Sequence, residues 1–351
     1  MSTEMTPYDR RAWTEIETWR ERKLSRRAGR FLPQRFRNMM SDAGHNAKKK
    51  LESLPGAEAF EAMFLKALGG VMDLVSRAAM ASVRDQAIIR AFRKRGHQVN
   101  DIIDIQALDL RAIDKVKPNL SLAYTSAATV EGAAAGFAVS GGEIVAGGGT
   151  VLGAGAGGAP GVGMVIGVMA ADAAAVLVAA NRAVAHVAAY YGYDLRKPEE
   201  RLFALAVLSM GTATETGKAA AYIELNKLVQ ALARRATWNE LRQNVVTRVI
   251  EKVFTRLGVQ ITQRKLGQAV PVVGIVFGAG MNARMLLSVT DDAEQIYRER
   301  FLRDSYDLDA QTLAHPATYH VEVVDVEALD IAEMLEEEIA EEDPEVPTHD
   351  R

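Results

Sequence analysis

Residues 144–171, IVAGGGTVLGAGAGGAPGVGMVIGVMAA, carry no charged side chain and contain ten glycines. Gly149, Gly153, Gly157 and Gly161 recur at every fourth position, so a helix would present them as one stripe. Each glycine costs a helix about 1 kcal/mol relative to alanine, so a helix of this composition needs a compensating contact. A second helix supplies it, because backbones approach closely where no Cβ stands between them. Pro160 interrupts a single long helix by removing a hydrogen bond and crowding the carbonyl four residues back. The expectation is a hairpin with one arm over 127–157, a turn near GGAPG and a returning arm over 162–191. It would set Gly163 and Gly167 against Gly149, Gly153 and Gly157. A second charge-free stretch, LGQAVPVVGIVFGAGMNA at 266–283, carries Gly274 and Gly278 and predicts a second Gly-rich hairpin.

The segments around these stretches read as helices. Trp13, Ile16 and Trp19 recur at roughly helical spacing within 8–30. Phe60, Met63, Phe64, Ala67 and Leu68 form another helical stripe. DIIDIQALDLRAIDKVKPNL predicts one helix stopped near Pro118. Gly192 suits the left-handed position that ends a helix, and Pro198 with Glu199 and Glu200 suits the first turn of the next. Further helices are expected over 198–210 and 215–235, and from a capping box at Thr237 and Glu240 to a stop near Gly258. A strand is suggested only at YHVEVV, 319–324. The fold class is mainly α, a multi-helix bundle with two Gly-rich apolar hairpins. Aromatics make up only 6% of a chain that is 48% hydrophobic, which favours close helix packing over a bulky core.

Charge is unevenly placed. Residues 1–50 hold thirteen Lys/Arg against six Asp/Glu, and residues 321–351 hold thirteen Asp/Glu against one Arg. The chain therefore divides into a basic amphipathic region at 1–50, a helical domain at 51–304 and an acidic, mobile tail at 305–351.

Catalytic patterns are weak. Cysteine is absent, which removes thiolate ligands and nucleophiles. Gly153, Gly155 and Gly158 satisfy GxGxxG, but so Gly-rich a segment matches by chance and lacks the preceding strand. GTATETGKA at 211–219 has one residue too many between its glycines for a phosphate loop, and Ala219 stands where magnesium needs a hydroxyl; Lys218 reads instead as a solvated helix residue. The six histidines form no zinc spacing. No catalytic residue, metal or cofactor is expected.

Two functions remain. In the preferred one the protein is non-enzymatic and membrane-associated, binding an anionic lipid surface or a membrane protein. Candidate lipid contacts are Trp13 and Trp19 with Arg22, Lys23, Arg26, Arg27 and Arg30. Asp172 and Arg182 argue against constitutive spanning, because a charge at mid-bilayer costs about 2.5–3.5 kcal/mol. The start of the chain shows no apolar signal region, so the expected location is cytoplasmic, peripheral on the inner membrane face. In the alternative, a soluble enzyme or small-ligand binder lines an inter-helix pocket with Asp172, Arg182, His186, Tyr193 and Asp194. Nucleic acid is not an expected partner, and the oligomeric state is left open.

Two blocks of this sequence resemble the EcsC protein family. The first is carried by Tyr191, Gly192, Tyr193, Asp194, Pro198, Glu199, Glu200 and Arg201. The second is carried by Gly258, Lys265, Gly267, Ala269, Val270, Pro271, Gly274, Gly278, Asn282, Tyr297, Arg298 and Phe301. The resemblance spans roughly 10–304 and leaves out the acidic tail. It implies a bacterial protein of a family named for an operon with ABC-transporter genes, and it implies no catalytic residues.

Overall fold

From Gly274 the second charge-free stretch runs without a break into the charged segment that follows it, as one 33-residue helix, Gly274–Tyr306. The computed structural model describes residues 4–24, 83–129, 160–213, 217–234, 243–268, 274–308 and 329–342. The elements among them are α1 (Pro7–Leu24), α2 (Asp85–Lys94), a 3-10 helix (Ile102–Ala107), α3 (Leu110–Val116), α4 (Leu120–Thr129), α5 (Pro160–Tyr190), α6 (Pro198–Thr212), α7 (Lys218–Arg234), α8 (Gln243–Gln268), α9 (Gly274–Tyr306) and α10 (Ile331–Glu342). The protein is mainly α, and no strand occurs among the described residues.

Helix α9 is the axis. Helices α4, α5 and α6 pack along it and α1 crosses its C-terminal half. Helix α7 lies on α6, α8 packs on α5 and α6, and α10 bridges α7 and α8. The core is Val, Leu, Ile and Ala from α5, α6 and α8, closed at one end by Tyr191, Tyr297, Phe203 and Phe301.

Local chemistry sets the boundaries. Helix α1 starts at Pro7, which needs no donor there, and Thr6 Oγ1 accepts from the Asp9 amide at 3.2 Å. Its buried stripe is Ala12, Ile16 and Trp19. Helix α5 ends at Gly192, whose φ of +85° places it in the left-handed region. The Gly192 amide donates to Ala189 O at 3.1 Å and the Tyr193 amide to Ala188 O at 3.0 Å, which satisfies the last carbonyls. Only glycine fits: a Cβ there would stand 2.7 Å from Gln106 Cγ and 2.9 Å from its backbone nitrogen. Helix α6 then begins at Pro198 with Glu199 and Glu200 in its first turn.

Several expectations need correction. Residues 101–118 are two short helices rather than one. Asp101 and Asp104 cap the 3-10 helix reciprocally, and the backbone is extended at Leu108 and Asp109 before α3 starts. Helix α8 passes through Gly258 and continues to Gln268. The acidic tail is not wholly detached: Leu329, Ile331, Ala332, Met334 and Leu335 are buried. The segment expected as a returning arm, 162–191, lies on one helix, α5, which starts at Pro160. Gly163 and Gly167 lie in it, and Gly274 and Gly278 lie in α9, but what they pack against is outside the described side chains. The first arm beyond Thr129, with Gly149, Gly153 and Gly157, lies outside the described residues, as do the helix expected near Phe60, the capping box at Thr237 and the strand suggested at 319–324.

Candidate functional site

The α5–α6 turn, YYGYDLRKPEER, folds against the C-terminal half of α9, YRERFLRD. Tyr193 and Tyr297 meet at a tilt of 44° with centroids 5.4 Å apart, Phe203 meets Tyr297 edge-on at 5.3 Å, and Tyr191 lies 6.2 Å from Phe301. The Arg300 guanidinium sits 4.2 Å from the Tyr193 ring and 4.3 Å from the Phe203 ring. It donates through both terminal nitrogens to Glu200, each at 2.7 Å, the bidentate geometry of the strongest charge-assisted pairs. Burial opposes the Arg300 charge, but Glu200 and the oxygens of Tyr193 and Tyr297 outweigh it and hold its pKa above the usual value. The Tyr193 hydroxyl donates to Asp304 Oδ2 at 2.7 Å, and burial pushes the Tyr193 and Tyr297 phenols well up. Asp194 holds the turn: its carboxylate accepts from the Arg196 amide at 2.9 Å and its backbone oxygen from the Lys197 amide at 3.1 Å.

A second polar layer lies on the face of α9 toward α1 and α7. Asp292 is fully buried and pairs with the equally buried Lys218, and Lys23 reaches it from α1 at 3.0 Å. Lys218 Nζ also donates to Ser288 Oγ at 3.1 Å and to the last-turn carbonyls of α6 at Met210, 3.4 Å, and Gly211, 3.5 Å. A cation there complements the negative end of the α6 dipole. One heptad on, Glu299 accepts from Arg20 and from Arg303, each at 2.8 Å. The Arg303 guanidinium in turn lies 5.2 Å from the Trp13 ring. Arg298 bridges Asp114 and Glu15, both at 2.9 Å.

Helices α6 and α9 cross tightly beside this layer. A Cβ on Gly211 would stand 2.8 Å from Val289 Cα. The glycine that opened the rejected phosphate-loop match is thus a packing contact. Lys218, expected in solvent, is instead buried, because an apolar helix face carries it onto Asp292.

The sequence candidates fall into separate places. Arg182 and His186 meet Tyr124, whose hydroxyl lies 3.2 Å from His186 Nδ1 and donates to Arg182 O at 3.4 Å. Burial and the nearby Arg182 charge lower the His186 pKa to about 4, and burial raises Tyr124 to about 12. Tyr193 and Asp194 are engaged at the turn, and the Asp172 side chain is outside the described ones. Trp19 is core, only 5% exposed; Trp13 is half-buried under Arg303 and Lys23 is ion-paired. Arg22 is exposed and bonds back to Thr18 O. Arg26, Arg27 and Arg30 lie outside the described residues. Sequence reasoning missed Asp292, Glu299 and Arg300. The available signal was the seven-residue spacing of Asp292, Glu299 and Tyr306, which puts acids on the inner stripe of a helix. Among the described residues no three metal-ligating side chains come together, and no helix is long and apolar enough to cross a membrane.

This arrangement defines a helical bundle locked by two distant sequence blocks that meet as an aromatic–ionic clamp. The model of the EcsC protein family matches residues 144–302, which take in the first block of the clamp and the second as far as Leu302. Over 239 residues the chain is 28% identical to the uncharacterized protein YdbA of Bacillus subtilis (strain 168), covering 67% of this chain and 75% of YdbA. No solved structure matches it.

Proposed function

We propose that this protein is a non-enzymatic, membrane-associated protein that docks one apolar end of its bundle on a membrane. The reading is supported by where α5 and α9 begin, since their first residues, 160–171 and 274–283, belong to the two charge-free stretches. Helices α5 and α9 are neighbours, and their C-terminal ends meet where Tyr191 lies 6.2 Å from Phe301. At 1.5 Å per residue the starts of α5 and α9 lie about 46 Å and 40 Å back along their axes. Both Gly-rich starts therefore point away from the ionic clamp. Gln268 and Gly274 are six residues apart, within about 21 Å, so the end of α8 belongs to the same side. Leu122 on α4 and Leu287 on α9 add exposed apolar surface, at 65% and 43%.

The route to the membrane differs from the one expected of α1. Trp19, Lys23 and Arg20 of α1 are engaged with the bundle, so the apolar end rather than the N-terminal helix makes the contact. Docking at bilayer depth suits helices too polar to span. Co-sedimentation with neutral and with anionic liposomes tests the proposal. Binding that persists at high salt is expected, because apolar burial is not screened. Absence of binding to both at low salt overturns it and moves forward the ligand-binding alternative, carried by the half-buried Tyr124–His186 pair.

A further inference from the structure

The C-terminal helix α10 sits on the groove between α7 and α8. It presents Ile331, Met334 and Leu335 inward, and one turn further Glu338, which is 1% exposed. The Glu338 carboxylate lies between Arg248, at 2.7 Å, and Lys252. Both cations belong to α8, one turn apart, and keep 42–45% of their side chains in solvent, so one buried acid meets two partly exposed cations on a single wall of the groove.

We infer that this groove is a docking site for an acidic amphipathic helix of a partner protein, and that α10 occupies it in cis as a displaceable plug. Three observations support a plug over a fixed part of the bundle. First, the family match ends at 302, so α7 and α8 lie inside the matched region and α10 lies outside it. Second, α10 is 12 residues long, too short to be a stable helix alone, so its folding is coupled to docking. Twenty residues, 309–328, separate it from the end of the described α9 segment. Third, its N-terminal contact sets two acids, Asp330 and Glu224, around the one cation Lys227. Asp330 takes an ion pair from Lys227 at 3.3 Å but also faces Glu224, whose carboxyl is pushed up by burial and by Asp330 against the pull of Lys227. The buried Glu338 favours a helix over a lipid surface, because a single desolvated carboxylate at a fixed helical position is what the two cations recognise. The inference stands independently of the membrane reading, which concerns the far ends of α5 and α9.

The test is fluorescence anisotropy of a labelled synthetic peptide of residues 327–343, titrated with full-length proteins. The unmodified chain binds weakly, because its own helix competes. Glu338→Arg weakens the plug and is expected to bind the peptide at least tenfold more tightly. Adding Arg248→Glu and Lys252→Glu to that variant is expected to return binding to the unmodified level. If Glu338→Arg loses cooperative melting, Glu338→Gln, which removes only the charge, is used and is expected to bind at least threefold more tightly. The inference is overturned if the opened variant binds no tighter, or if the charge-reversed variant binds equally well. It is also overturned if the opened variant gains binding to phosphatidylserine vesicles while ignoring the peptide, which would make a lipid surface the occupant.

Discussion

The two halves of α9 are made of different material. From Gly274 to Thr290 the only charge is Arg284, whereas eight of the sixteen residues from Asp291 to Tyr306 are charged. Yet the charged half is well enclosed: Asp292, Ala293, Tyr297, Glu299, Phe301, Leu302 and Arg303 are all buried, while among the described side chains of the other half Leu287 is 43% exposed. Charge is therefore a poor guide to surface here. Once ion pairs close on one another, an acidic row can be core. A charge-free row can be the face left for something else.

The largest effect is expected where that closed layer is opened. Asp292→Ala strands the fully buried Lys218, and removing one partner of a buried pair typically costs about 3–5 kcal/mol. Urea unfolding should register a loss of that size. The double variant Lys218→Met with Asp292→Leu should lose much less, since an apolar pair leaves no uncompensated charge. If the two variants fall equally, the pair is not what holds the layer.

The next effect sharpens the comparison at the crossing of α6 and α9. Gly211→Ala puts a methyl against Val289 backbone, and backbone cannot swing aside. A loss of about 1–3 kcal/mol is expected, read as a lower thermal midpoint. An unchanged midpoint would mean the helices separate freely there.

His186 gives a pH signature for the end of α5 that lies nearer the clamp. Its folded pKa lies at about 4, below the ordinary histidine value. The unfolded chain therefore takes up the proton first as pH falls. The stabilisation is present above about pH 6.5 and is lost progressively toward pH 4, by about 2 kcal/mol between pH 7 and 5. His186→Gln should flatten that slope in denaturant midpoints at the two pH values. A variant whose slope equals that of the unmodified protein would place the titration elsewhere.

The smallest effect belongs to the rim. Glu15 is 59% exposed and its partner Arg298 keeps Asp114, so Glu15→Gln should change stability by about 0–1 kcal/mol. A loss above 2 kcal/mol would show α1 to be held by its rim rather than by its buried stripe.

Sequence carried much of the helical punctuation and little of the pairing. Gly192 and Pro198 were legible because a left-handed cap and a first-turn proline are local demands. The break at Leu108 was not, because Asp101 and Asp104 look as helical as their neighbours until they cap each other. Lys218 was misread because its partner lies 74 residues away, and Arg20 meets Glu299 across 279 residues. Periodicity says which face turns inward. It does not say which acid waits there. The aromatic–ionic clamp was legible as two motif blocks through family resemblance, while their contact required the fold.

The central claim is that the two ends of the bundle meet different surroundings. Because the chain has no cysteine, single-cysteine variants can be labelled cleanly. An environment-sensitive fluorophore at Ile275→Cys, near the start of α9, is compared with one at Ser305→Cys, near its end, in the presence of vesicles. The account predicts a blue shift at 275 and none at 305. Equal shifts at both positions, or a shift only at 305, would contradict it.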